Sequence, residues 1–155
     1  MTYKKILFAT DFSPASEAAL PYASALAAES DAMLLIVHVE EPSLALGVDI
    51  YLPEAGYPDP EVRRQLEAVI PPDARIRYEH RLLLGAAIDQ IVRLAAEERI
   101  DLIVMGTHGR TGLSRLLMGS VAEGVVRQAT CPVLTLKQPG NQDTTNQSTS
   151  CVSVK

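Results

Sequence analysis

The sequence predicts a doubly wound α/β fold, a three-layer α/β/α sandwich with a parallel sheet in the middle layer. Strand-like apolar runs alternate with helical patterns along most of the chain. Such alternation implies parallel pairing through right-handed crossovers. The second run, MLLIVHV at residues 33–39, is apolar almost throughout, as a strand covered on both faces must be. The core-forming residues are Ala, Leu, Ile and Val, with no tryptophan and only 5% aromatics. At 155 residues the chain fits one domain, and a domain of that size buries roughly 70% of its unfolded surface.

The elements follow in order. Residues 6–10 (ILFAT) form the first strand after a short basic start. Ser13 and Pro14 open the first helix as N-cap and first-turn residue, because proline lacks an N–H that has no partner there. Ala19, Tyr22, Ala23 and Leu26 are expected on its inner face, with Pro21 kinking it. Residues 41–60 hold four prolines and two glycines and read as a long surface loop, followed by a short helix at 61–70. Residues 76–84 alternate Arg77, Glu79 and Arg81 with bulkier groups, the pattern of an exposed edge strand. A helix over 86–98 presents Ile88, Ile91, Val92 and Ala95. Strands at 100–105 and 132–136 enclose the last helix, 121–127. The domain spans residues 1–138, and the polar, aperiodic stretch 139–155 is expected to lack fixed structure.

Charge narrows the function. The net charge is -5 and no basic cluster stands out, which argues against nucleic-acid or membrane-surface binding. No apolar run approaches the ~20 residues of a membrane span, the N-terminus shows no cleavable signal pattern, and the two cysteines have no framework spacing. A cytoplasmic protein is expected.

In open α/β sheets, ligands settle at the carboxyl ends of strands where the strand order reverses. Asp11 and Gly106 each lie just past such an end. Gly106 and Gly109 directly follow the fourth strand, and Gly119 and Ser120 open the last helix. Glycines admit close backbone approach, successive N–H groups form an anion-binding concavity, and a helix N-terminus adds unbonded donors with partial positive charge. Spacing alone leaves a purely structural connection equally open. The loop is neither a P-loop nor a GxGxxG dinucleotide fingerprint.

The pattern Gly-x2-Gly-x9-Gly-Ser, entered from DLIVMG and left through CPVL, resembles that of the universal stress protein family. ILFATDFS, LIVHV and the G-A-A-x2-I opening of the third major helix resemble it too, so the likeness covers about residues 3–137. The resemblance implies a Rossmann-like, adenine nucleotide alpha hydrolase-like fold with a five-stranded parallel sheet ordered 3-2-1-4-5. It also implies the ATP-binding subgroup, with Mg²⁺ accompanying the nucleotide. Carried over by position, Asp11 meets the ribose or metal-phosphate region, the Val39 backbone reads the adenine edge, and Ala9 is a further nucleotide-binding position. Gly106, Gly109, Gly119 and Ser120 hold ribose and phosphates, with Met105 and Val121 nearby. Family members commonly dimerise through the last strand, here Pro132 to Leu136. The long proline-rich loop departs from the family pattern.

Other candidates carry less. His108 and Arg110 sit inside the loop, where they can reach the terminal phosphate or stay solvated. His38 reads as a satisfied core histidine, and Cys131 as a buried, inert thiol. The histidines and cysteines show no zinc-ligand spacing. A receiver-like phospho-acceptor role for Asp11 lacks the accompanying acidic residues. The expected function is ATP-dependent regulation in stress response, with nucleotide occupancy acting on the dimer or on partners. The alternatives are a slow ATPase or an autokinase modifying Ser120, and a nucleotide-independent dimeric scaffold.

Overall fold

A computed structural model describes residues 2–41, 59–107, 118–137 and 153–154. The elements run β1 (Lys5–Ala9), α1 (Pro14–Ser30), β2 (Met33–Glu40), α2 (Pro60–Glu67), β3 (Tyr78–Leu84), α3 (Ala87–Glu97), β4 (Leu102–Gly106), α4 (Ser120–Gln128), β5 (Val133–Leu136) and β6 (Ser153–Val154). The first five strands are parallel in the order β3-β2-β1-β4-β5. This is the expected three-layer sandwich. β1 lies at the centre, with Ala9 paired to Val37 on one side and to Met105 on the other.

The sheet gains a sixth strand that the sequence did not announce. β6 pairs antiparallel with β5, matching Leu134 to Val154 and Thr135 to Ser153. It belongs to the stretch read as lacking fixed structure. The physical reason lies in β5, whose outer edge offers backbone donors and acceptors to any extended segment within reach.

The two faces of the sheet carry separate cores. One joins Ile6, Phe8, Leu34, Ile36 and Val104 to the α1 alanines and to Leu66 of α2. The other joins Leu7, Leu35, Val37, Ile103 and Met105 to Ile91 and Leu94 of α3 and to Ala122 and Val125 of α4. Alternate residues of each central strand therefore serve opposite layers.

Helix α1 starts as expected, with the Ser13 side chain accepting the Ser16 N–H and Pro14 in the first turn. It runs as one assigned helix through Pro21 and stops at Asp31, whose left-handed backbone (φ 50) lets its N–H reach the carbonyls of Ala27 and Ala28. Its inner stripe is Ala15, Ala19, Ala23 and Ala27. Tyr22, expected inside, is 52% exposed. The stripe follows the i, i+4 row, and its small side chains bring the helix too close to the sheet for a tyrosine beside them. On α3, Ile91, Leu94 and Ala95 are buried while Ile88 and Val92 are half-buried. β3 is the expected exposed edge strand. Helix α2 is shorter than read, capped by the Asp59 side chain on the Glu61 N–H. Residues 42–58, most of the proline-rich loop, lie outside the described residues. No described helix is long and apolar enough to cross a membrane.

Candidate functional site

The strand order reverses between β1 and β4, and both strands end there in built turns. Beyond β1, the Asp11 carboxylate accepts the Ser13 N–H at 3.1 Å and the Thr10 hydroxyl accepts the Phe12 N–H at 3.1 Å. Phe12 itself takes a positive φ of 61°, uncommon for a bulky residue. Two contacts hold it: the turn hydrogen bond, and the His38 ring, whose centroid lies 4.3 Å away. His38 is buried and its Nδ1 lies 2.8 Å from the Thr10 carbonyl. A carbonyl only accepts, so Nδ1 carries the proton. His38 is the satisfied histidine expected, and it braces the turn that carries Asp11.

Beyond β4, Thr107 is buried and anchors the loop. Its N–H donates to the Leu136 carbonyl at 2.8 Å, and its hydroxyl donates to the same oxygen at 3.3 Å. Its own carbonyl accepts the Gly119 N–H at 2.7 Å. That bond joins the two ends of the glycine loop and sets the start of α4 beside the end of β4. Helix α4 has Gly119 as N-cap with no side-chain cap. Its first intrahelical bond runs from the Glu123 N–H to the Gly119 carbonyl, so the N–H groups of Ser120, Val121 and Ala122 point out of the helix start. Ser120 is exposed and Val121 half-buried.

The β2 end completes the frame. The Val37 carbonyl accepts from Thr10, just past β1, whereas the Glu40 carbonyl accepts from Gly85 on the β3 side. Strand backbone directions alternate. Val39 therefore turns its N–H and C=O toward the β1 side, beyond Ala9, the last residue of β1 to pair with β2.

The model of the "Universal stress protein family" matches residues 2–137. The chain belongs to the universal stress protein family. A universal stress protein of Methanocaldococcus jannaschii is 37% identical over 88% of this chain and 84% of its own length. A solved universal stress protein in complex with cAMP is 27% identical with a TM-score of 0.61, covering 90% of this chain and all of its own. The Archaeoglobus fulgidus universal stress protein in complex with dAMP is 26% identical, also with a TM-score of 0.61, covering 88% of this chain and all of its own.

In this family member Ala9, Asp11, Val39, Met105, Gly106, Gly119, Ser120 and Val121 all fall at the carboxyl ends of β1, β2 and β4 or at the start of α4. Ala9 and Met105 are buried, pair with each other and belong to the core layer beneath α3 and α4. Gly106 has a structural role that its sequence context did not reveal. A Cβ there would stand 2.9 Å from Ala15 C and from Ser16 N, so the close backbone approach it permits is that of α1. Gly109, Arg110 and His108 lie outside the described residues.

Three contributors were not foreseen. Thr107 looks like any loop residue in sequence, and its role depends on the distant Leu136. Phe12 carries the positive φ without being glycine. Glu41 accepts the Ala87 N–H at 2.9 Å, supplying α3 with the cap that Ala86 cannot. Cys131, expected buried, is half-buried and unpaired. Burial still pushes its thiol up, which keeps the reactive thiolate scarce.

Proposed function

We propose that this family member binds ATP with Mg²⁺ at the β1/β4 switch point as a regulatory ligand, and that nucleotide occupancy acts on its dimer or partner contacts. The observation that carries the reading is the uncapped start of α4, fixed by the Gly119–Thr107 bond beside the strand end that follows Met105. Three outward N–H groups with a helix dipole behind them suit phosphate oxygens. The acidic overall charge is no obstacle, because backbone supplies the positive end.

The other groups fit the same ligand. Val39 offers a backbone donor and acceptor at the β2 end, suited to a planar base. The Asp11 carboxylate, steadied by the Ser13 N–H, suits a ribose hydroxyl or the metal. Mg²⁺ takes one or two carboxylates and otherwise leans on phosphate oxygens and water. Among the described residues no cluster of three His, Cys, Asp or Glu could hold a metal by itself, so the ion would arrive with the nucleotide. The cAMP- and dAMP-bound relatives support the adenine-nucleotide class.

Titration calorimetry of the nucleotide-free protein with ATP and Mg²⁺ tests the reading. A micromolar dissociation constant is expected, about -8 kcal/mol, weakened at least about tenfold in Asp11→Ala. Folded protein that gives no binding heat and retains no radiolabelled ATP overturns it.

A further inference from the structure

We propose that Ser153–Val154 is an intramolecular cover for the β5 edge, and that its release opens this edge to a second copy of the chain. The inference rests on the reading of β5 as the dimer strand and adds a regulation to it.

The sheet has two edges of different kinds. β3 closes one side as a seven-residue strand with charged and polar residues Glu79, His80 and Arg81 along it, a composition that discourages further pairing. β5 on the other side is the four-residue VLTL, with no charged residue in the strand. It is here that the chain lays its own β6. The pairing is antiparallel and centred on Leu134 and Thr135. A two-fold axis beside β5 would bring two copies of the strand together in that same antiparallel sense, because an isologous interface presents identical patches to each other. β6 and a second β5 therefore compete for one row of backbone donors and acceptors.

The competition is between a tethered and a free partner. β6 is joined to β5 through residues 137–152, so it meets the edge as an intramolecular segment at an effective concentration of about a millimolar. Its pairing covers two residues of the strand, which leaves it displaceable by a longer partner. If the cover is closed about nine-tenths of the time, a tenth of the edges are open, and since both copies must open, dimer affinity falls by about a hundredfold.

Sedimentation equilibrium of the full chain and of a chain ending at Lys137 tests the proposal. The shortened chain should dimerise about 10- to 100-fold more tightly. A second variant, Ser153→Pro with Val154→Pro, keeps the full length but removes both β6 backbone donors and should give the same gain. Equal dimerisation of all three chains overturns the cover while leaving the dimer reading intact. All three remaining monomeric at high concentration overturns both. Weaker dimerisation of the shortened chain also overturns the cover, because β6 would then be joining the copies rather than separating them.

Discussion

Gly106 and Asp101 show how single residues at opposite ends of the same strand region constrain the molecule differently. At Gly106 the neighbouring atoms are backbone, Ala15 C and O and Ser16 N, at 2.9 to 3.0 Å from a built Cβ. Backbone in the first turn of a helix cannot rotate away as a side chain does. Gly106→Ala should therefore cost about 1–3 kcal/mol of stability, read from denaturant midpoints at unchanged m-value. A loss below a few tenths would mean that α1 slides freely over β4. At Asp101 one carboxylate oxygen accepts the N–H groups of Lys4 and Lys5 at 2.7 and 2.9 Å. These bonds hold its carboxyl below the usual carboxylate range. A carboxyl depressed in the folded state contributes fully above its unfolded value, about 3.9, and loses that contribution as pH falls through the folded one. Asp101→Asn should cost about 0.5–1 kcal/mol near pH 7, because solvent screens a carboxylate this open. The gap between variant and parent should narrow steadily below about pH 4 in denaturation curves taken across that range. A gap independent of pH would remove the charge from the explanation.

Among the helices, α3 and α4 meet over a missing side chain. A Cβ on Gly124 would overlap Ile88 Cδ1 and stand 2.9 Å from Cγ1. The outer atom belongs to the end of a flexible side chain, and alanine gains about 1 kcal/mol over glycine in a helix interior. Gly124→Ala should therefore be within about 1 kcal/mol of the parent, whereas Gly124→Val adds methyl groups that Ile88 cannot clear and should cost about 2–3 kcal/mol. Pairing it with Ile88→Ala should recover part of the loss, and a purely additive double mutant would show that the two helices do not meet at this point. The strands were legible in the sequence because burial on both faces leaves a continuous apolar run, which β1, β2 and β4 display. α1 was legible at its start, where Ser13 and Pro14 act locally. Its inner face was misread at Tyr22 because helical spacing alone does not say how closely an alanine stripe lets the helix approach. β6 was not legible: a polar, aperiodic segment carries no sign of an edge waiting elsewhere.

For the molecule as a whole, the candidate site is a consequence of topology. Placing β1 between β2 and β4 brings together the ends that carry Asp11, Val39 and Gly106, residues far apart in the chain. Asp11 and the helix that Gly119 opens could be read from local patterns, whereas the strand order that sets the reversal point came from the family resemblance. Thr107 could not, because its partners are Leu136 and Gly119, and a hydrogen bond across loop ends leaves no periodicity. Nor could the brace of Phe12 by His38, which needs two strands in register. A ligand that binds only this assembled arrangement must stabilise all of it. At a free concentration one hundred times its dissociation constant, a nucleotide adds about 2.7 kcal/mol to the unfolding free energy. For a chain of this length that corresponds to a midpoint rise of about 5–10 °C. The thermal midpoint should rise by that amount with ATP and Mg²⁺. Replacing Thr107 by valine keeps its backbone bonds but removes the hydroxyl contact to Leu136, so the shift should shrink without disappearing. Asp11→Ala should lose more of the shift than Thr107→Val, because the proposed site has Asp11 touching the ligand and Thr107 only anchoring the loop that holds it. The reverse order would place the binding energy in the loop's anchoring rather than in the strand-end carboxylate.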